Sequence, residues 1–540
     1  MLRRFFAIAL VLLALAPAAW IAFNWRSMPQ LGFYHDDALY WVSARSLAET
    51  GEYRIASLPA QPWQTKYPPL FPAWLSLVWK LNPHFPANLP LATLFAWLAF
   101  PAYLAAVYAF LREYGFSLRE RAVLFVVAAL NPVAVLFSTS LMPELGFTAL
   151  FVGALVLAER AKSSGWMIVL AGVMAGLAYL TRSAALPLLV TVPLCLVLSG
   201  RGVRRAALFL AGMVPAVAAW QIWVATHLSH ASDLVTLYYT DYAGYQRYNV
   251  SLADLPLVLW YNLDGLLQGI GRVLTFDLEP FGSKHLERVV AIAALAGCVR
   301  LARQTRKLQY PVAAAAFSGL LLIWHFQPDQ RFVFPLYPLL AAGLWTELRN
   351  VARALGAAWK KPAISERVAA IAGATVLAAF TAFLAFTHIG GVFHTLPKLL
   401  EAYRADLNQR RAAWSWIAAN TPERANVYAY DDPLLYLYTG RRSCNLPIPP
   451  RLYYHHDEPG IDRLLGTIPD FAREQHLDYA LLTTGDFYRD LHEHGERTLA
   501  HAVENSPQFR PVFHSGATTV YAFGLWGGAP APQPAPRPAR

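Results

Sequence analysis

Long apolar runs, rather than the short alternations of a soluble domain, organise this chain. They lie at about 5–23, 89–111, 120–138, 144–158, 165–181, 183–199, 205–226, 288–302, 310–326, 331–346 and 368–388. A helix rises about 1.5 Å per residue and a bilayer core is about 30 Å thick, so these runs predict about eleven transmembrane helices. The first follows Arg3 and Arg4 and stays apolar to Phe23, which reads as an uncleaved span rather than a removed export signal. Two connections, at about 24–88 and 227–287, are too long to be plain turns, and loops of that size are usually functional or interfacial. In the first, residues 68–81 carry Phe71, Trp74 and Trp79, as expected of a helix lying among lipid headgroups. The second carries Tyr238, Tyr239, Tyr242, Tyr245 and Tyr248, then Trp260 and Tyr261. An aromatic belt at the membrane interface is the simpler account of these, and a sugar-stacking surface is the other.

Beyond about residue 390 the pattern changes. A helical stretch at 403–420 and strand-like runs at 425–430, 477–483 and 518–523 predict a small soluble α/β domain over 391–527, and 528–540 reads as a disordered tail rich in Pro and Ala. The expected architecture is therefore a mainly α, polytopic membrane domain over 1–390 with a small C-terminal α/β domain.

Composition agrees with membrane residence: the 540 residues are 56% hydrophobic and only 15% charged, against about 25% charged in an ordinary soluble protein. The net charge of +11 does not point to nucleic acid, because the cations are spread through short loops instead of clustering on one face. They follow topology. With the N-terminus in the cytoplasm, the inside loops carry Arg112, Arg119 and Arg121, Arg160 and Lys162, Arg201, Arg204 and Arg205, Arg303, Arg306 and Lys307, and Arg349 to Arg367, as the positive-inside rule requires. An odd number of spans then places the C-terminal domain outside. Cys195, Cys298 and Cys444 form neither a disulfide framework nor a CxxC metal site, and His455, His456, His492 and His494 lack zinc-site spacing. Phosphate-binding Gly-rich loops and a Gly-x-Ser-x-Gly elbow are absent from the sequence.

The ionisable residues left over sit at the outer ends of the predicted spans: Asp36 and Asp37, Lys66, Glu144, Arg182, Glu279, His325, Asp329 and Arg331. Proton-coupled transporters place such groups at mid-membrane depth, so chemistry at the outer surface is favoured over transport. Asp36 and Asp37 precede the helical pattern Ala38, Tyr40, Ala44, Leu47, which ends near Gly51. A carboxylate pair there can be a general base, a metal ligand or a helix cap. Lys66, Arg182 and Arg331 suit a phosphate, the lysine as a point charge and the arginines as bidentate forks. Each also has a plain alternative: snorkelling to headgroups, capping a turn, or pairing with Asp329.

The run Tyr34-His35-Asp36-Asp37-Ala38-x-Tyr40, then Gly51 and Lys66-Tyr67-Pro68-Pro69-Leu70, resembles the first outer loop of glycosyltransferases that use polyprenyl-phosphate sugars, of the protein O-mannosyltransferase and lipid A aminoarabinose transferase type. Pro143-Glu144, Thr181-Arg182-Ser183 and Arg331-Phe332-x-x-Pro335-x-x-Pro338 continue the resemblance over about residues 5–350. It implies a C-type glycosyltransferase (GT-C) fold that moves a sugar from a polyprenyl-phosphate carrier to a lipid, glycan or protein acceptor on the outer face of a bacterial plasma membrane. It also implies Asp36 as general base and Lys66 near the carrier phosphate; the reading of the residues adds Asp37 as support or as the alternative base, and Tyr67, Arg182, His325 and Arg331 around the substrate. A divalent cation is compatible with the resemblance, with Glu144 as candidate ligand. The pair is Asp-Asp where Asp-Glu is common, and Tyr67 separates Lys66 from the prolines. A flippase of a lipid-linked saccharide and a non-catalytic envelope scaffold are the rival functions.

Overall fold

The computed structural model describes residues 2–161, 164–229, 233–276, 284–358, 366–486 and 497–524. Glu279, Lys162, His492, His494 and the 528–540 tail fall outside these residues. The chain is mainly helical, with a small sheet near its C-terminus. Its contacts divide it into two compact units: Met1–Arg26, Thr93–Trp223 and Asp254–Leu399 form the first, and Ser27–Ala92, Val224–Ala253 and Leu400–Arg540 the second.

The first unit is a bundle of apolar helices. Among the described residues, three helical stretches are long and apolar enough to cross a membrane: Leu89–Glu113, Val203–His227 and Ala378–Asn420. Ile8–Asn24, Gly165–Thr181, Ser183–Leu198 and Gln309–Leu322 are shorter apolar helices. The run expected at 120–138 is broken: Leu118–Ala129 ends, Asn131 accepts from the Val133 and Ala134 amides, and Pro132 opens a short helix to Phe137. Proline at a first helical position suits a new start and cannot continue the old ladder. Helices pack closely where glycine allows it. Lys284–Thr305 and Tyr337–Ala358 meet at Gly297 and Gly343, where an added Cβ on Gly343 would lie 2.5 Å from the Cys298 sulfur. In lipid, small residues of this kind let dispersion contacts hold helices together.

Ionic contacts mark the two ends of this bundle. Helix Glu144–Arg160 has 17 residues, a rise of about 25 Å. At its start, Glu144 meets Arg182 and Arg331. Near its other end, Arg160 pairs with Glu113 at 2.8 Å, Lys307 joins Glu113 at 2.7 Å, and Arg201 meets Glu159 at 3.3 Å.

Part of the second long loop, Leu255–Thr275, is a helix of the first unit instead of a loop, while the second unit gathers most of the first long loop and the tyrosine-rich part of the second with the C-terminal segment. Its sheet has strands β1 (Asn426–Tyr428), β2 (Arg442–Cys444), β3 (Tyr479–Thr483), β4 (Phe509–Ser515) and β5 (Thr518–Phe523), in the order β2-β1-β3-β5-β4. The first three are parallel, while β3–β5 and β5–β4 are antiparallel. Strand β1 lies inside the parallel part and runs into helix Asp432–Thr439, which crosses over to β2. That topology puts Asp432 at the carboxyl end of a central parallel strand, where α/β sheets commonly build sites.

Candidate active site

Helix Asp36–Glu49 starts where the sequence pattern places it, with both carboxylates in its first turn and His35 in the capping position. His35 has φ 59° and makes no side-chain cap, so neither aspartate is an N-cap. Successive helical side chains diverge by about 100°, and the two acids face different surroundings. Asp37 is buried, and its oxygens accept from the Ala38 amide at 2.9 Å and the Gly32 amide at 3.1 Å. Burial pushes its carboxyl up to about 7, against the pull of those two amides. Gly32 can take part because it is glycine: its φ is +92°, and a Cβ there would meet Leu434 Cδ2 at 3.1 Å. Asp36 is half-buried, and its Oδ1 accepts a hydrogen bond from the Tyr67 hydroxyl at 2.5 Å. Burial raises Tyr67 well above the usual phenol range, and the Asp36 charge adds to that shift, so the phenol keeps its proton and donates.

The segment carrying Lys66 and Tyr67 is fixed by backbone contacts. Gln64 Oε1 accepts from the Lys66 and Tyr67 amides at 3.0 and 3.1 Å, and the Tyr53 hydroxyl donates to the Tyr67 carbonyl at 2.8 Å. Lys66 is buried among tyrosines. Its Nζ donates to the Tyr238 carbonyl at 2.8 Å and lies 4.2 Å from the Tyr238 ring centre, with Tyr242 and Tyr67 at 5.4 and 5.5 Å. Aromatic faces attract such a cation, more strongly away from water. The tyrosine-rich loop thus departs from a simple interface belt: Tyr239 and Tyr245 are buried and Tyr238 and Tyr242 surround Lys66. Two short helices carry them, capped by Asp233 on the Thr236 amide and Asp241 on the Gly244 amide.

A contact that sequence reasoning missed reaches the same loop. Asp432, fully buried, accepts from His35 Nε2 at 2.9 Å and from the Tyr239 hydroxyl at 2.7 Å. Burial disfavours a charged His35, but the Asp432 hydrogen bond and charge outweigh it and raise the imidazole above its usual value. Burial raises Asp432 in turn, with His35 opposing. An Asp-Asp-Pro sequence following a strand-like run signals a helix start; no local pattern reveals a partner 397 positions away.

In the first unit, Glu144 is fully buried, and its Oε1 accepts from Arg182 and, at 3.1 Å, from Arg331 Nε. Arg182 ends helix Gly165–Thr181 in an extended conformation, while Arg331 lies in a short helix whose Asp329 cap accepts from its amide at 2.8 Å. Glu144 therefore stands between two guanidinium groups, with the Asp329 carboxyl close enough to act on both Arg331 and Glu144. Among the described residues no group of three His, Cys, Asp or Glu side chains is placed to hold a metal ion. Two guanidiniums thus meet the Glu144 and Asp329 carboxyl groups, and a bound anion would have to draw the arginines away from those acids. His325 is buried between the Trp324 and Phe326 rings, at 4.2 and 4.5 Å. Asn262 anchors its turn by donating to the Trp324 carbonyl at 2.6 Å.

No protein-family model and no curated protein matches this chain. Solved structures do. ArnT from Cupriavidus metallidurans in the apo state aligns over 96% of this chain and 98% of its own, with a TM-score of 0.54 at 15% identity. The same protein bound to undecaprenyl phosphate gives 0.55 at 16% identity, covering 95% and 97%. The archaeal oligosaccharyltransferase AglB from Archaeoglobus fulgidus, in complex with an inhibitory peptide and a dolichol-phosphate, gives 0.53 at 14% identity over 98% of this chain and 75% of that one. The chain therefore has the fold of these proteins along nearly its whole length, the GT-C fold that the resemblance over about residues 5–350 implies.

Proposed function

We propose that this protein is a membrane glycosyltransferase that moves a sugar from a polyprenyl-phosphate carrier to a lipid, glycan or protein acceptor at the outer membrane surface. The observation that carries the reading is the division of the acidic pair. Asp37 is consumed by the Gly32 and Ala38 amides, whereas Asp36 is half-buried and held by the Tyr67 phenol beside the caged Lys66. The fold likeness to proteins solved with undecaprenyl phosphate and dolichol-phosphate supports the donor class.

In this reading Asp36 takes the proton of the acceptor hydroxyl as that oxygen attacks the anomeric carbon, the carrier phosphate leaves from the opposite face, and the sugar inverts. Tyr67 fixes the orientation of Asp36, and Asp37 holds the loop. Lys66 opposes the negative charge that grows on the departing phosphate, since charge placed in advance where a transition state needs it is commonly the largest catalytic effect. Arg182 and Arg331, both held by Glu144, would meet an anionic part of a substrate. The arrangement of about eleven spans, with an outward-facing α/β segment over 391–527 in a bacterial plasma membrane, belongs to the same proposal.

The test is transfer from labelled polyprenyl-phosphate sugar in membranes carrying the Asp36→Asn variant. Loss of a general base lowers turnover by about 10²–10⁴-fold, with protein level unchanged. Full activity of Asp36→Asn would sink the base assignment, and no turnover by the wild type with any carrier-linked sugar would favour a flippase or scaffold.

A further inference from the structure

The first unit contains a groove that the sugar-transfer reading leaves unused. It has a volume of about 700 Å³ between helices Leu255–Thr275, Lys284–Thr305, Gln309–Leu322 and Tyr337–Ala358. Its walls are apolar, built from residues such as Leu295, Val299, Ala315 and Leu340, and it ends at Arg303 and Arg306.

Those two arginines differ from the cations around them. Lys307 and Arg160 share Glu113, Arg201 takes Glu159, and Arg300 takes Glu347 at 2.9 Å. Arg303 and Arg306 are exposed, and no ion-pair or hydrogen-bond partner for their side chains is found among the described residues. Arg306 also ends its helix with φ 54°. Glycine would adopt that conformation without strain, whereas a side chain is strained there. The turn alone does not explain an arginine.

We propose that the groove binds an anionic phospholipid, with an acyl chain between the helices and its phosphate against Arg303 and Arg306. Three observations select this occupant. The walls suit hydrocarbon, and the volume falls within the range of about 300–1,000 Å³ usual for ligand pockets. A neutral lipid would leave two guanidiniums without counter-charge, and a soluble anion would leave the apolar walls empty; basic pockets between membrane helices characteristically take anionic headgroups. The third is position. Lys307 and Arg160 share Glu113, so the basic mouth lies at the Arg160 end of helix Glu144–Arg160, about 25 Å along the bundle from Glu144. The site is thus distinct from the Arg182–Arg331 cluster, and the proposal stands whether or not the protein transfers sugar.

The test uses the full-length protein in nanodiscs of phosphatidylcholine alone or with phosphatidylglycerol, with retained lipid measured by mass spectrometry of the intact protein. The wild type retains phosphatidylglycerol in preference to phosphatidylcholine and unfolds at a higher temperature in its presence. Removing two near-surface cations in R303A/R306A weakens that retention by roughly thirtyfold. Ala315→Trp, which fills the groove and spares both charges, lowers retention through the chain instead, so loss of fold in one variant leaves the other to decide. Equal retention of the two lipids by the wild type, or undiminished phosphatidylglycerol in R303A/R306A, overturns the proposal. So does displacement of phosphatidylglycerol by added undecaprenyl phosphate in a manner abolished by Ala315→Trp, which would assign the groove to a polyprenyl tail.

Discussion

Asp432→Ala is the sharpest probe of how the Asp36 loop is held. Asp432 is completely shielded from solvent, and it accepts both the His35 imidazole at 2.9 Å and the Tyr239 hydroxyl at 2.7 Å. Alanine leaves a buried phenol without an acceptor, at about 1–3 kcal/mol, and breaks an ion pair whose loss costs about 3–5 kcal/mol when both partners are buried. Water reaches His35, whose side chain is 21% exposed, so a combined effect of about 3 kcal/mol is the reasonable figure, equivalent to roughly a hundredfold in population. The effect falls on the loop, because the His35 amide donates to Gly32, Gly32 donates to Asp37, and the Leu39 amide donates to His35. Hydrogen exchange should therefore quicken by about a hundredfold at residues 32–39 and stay unchanged in helix Glu144–Arg160. The pH dependence carries the same sign. The folded pKa of His35 is raised, so the contribution of the pair is complete below the ordinary histidine value and fades as pH rises through the folded value. After correction for intrinsic exchange, wild-type protection should decline above about pH 6.5, and Asp432→Ala should lack that decline. Unchanged exchange at 32–39 in the variant would refute the coupling.

Other outcomes follow from the same geometry. The Asp37 carboxyl moves from 3.8 to about 7 on folding, so the folded state holds an extra proton between those values and stability falls by about 4 kcal/mol as pH rises through that window. Thermal unfolding at pH 4 and pH 7 should show that slope in the wild type and lose it in Asp37→Asn; an identical slope in both would remove Asp37 as its source. Glu144→Gln leaves two guanidiniums around a neutral amide, whereas Arg182→Leu leaves Glu144 still paired with Arg331. The first should lower the unfolding temperature more, since an uncompensated buried charge costs about 3–5 kcal/mol, and the reverse order would contradict the one-to-two charge assignment. Gly32→Ala should loosen the loop by about 1–2 kcal/mol through its positive φ, seen as faster proteolysis between residues 28 and 38.

Much of this was legible in the sequence where the signal was local. The start and end of helix Asp36–Glu49, the helix ending at Asn420 and strands β1, β3 and β5 all follow from periodicity and turn residues. Strand β2 escaped because three residues carry no readable alternation, and β4 because Phe509–Ser515 mixes exposed charge with proline at a sheet edge. The pairing of Glu144 with both Arg182 and Arg331 joins three residues that were legible singly, but the ion triplet depends on how three helices pack. His35 and Asp432 belong to the same class. Tyr238 and Tyr242 were visible in a run of tyrosines, yet period and composition are the same for a ring facing lipid and a ring beside Lys66.

The acidic pair shows why adjacency in sequence does not mean equivalence in chemistry. Two neighbouring residues in a first helical turn cannot address the same space, because the helix rotates them apart by about 100°. One of them must turn toward the preceding loop, and here the Gly32 and Ala38 amides receive Asp37. Two amide donors ordinarily draw a carboxyl down, but burial outweighs them and the neighbouring Asp36 charge adds to the upward shift. The inner acid therefore holds its proton to higher pH than an ordinary carboxyl, and the loop is relieved of part of a second buried charge. The outer acid stands at the positive end of the helix, where a carboxylate is stabilised, and Tyr67 donates to it. The fold thus separates the pair into a buried acid held by two backbone amides and a half-buried acid held by the Tyr67 phenol, and the proposed base is the second.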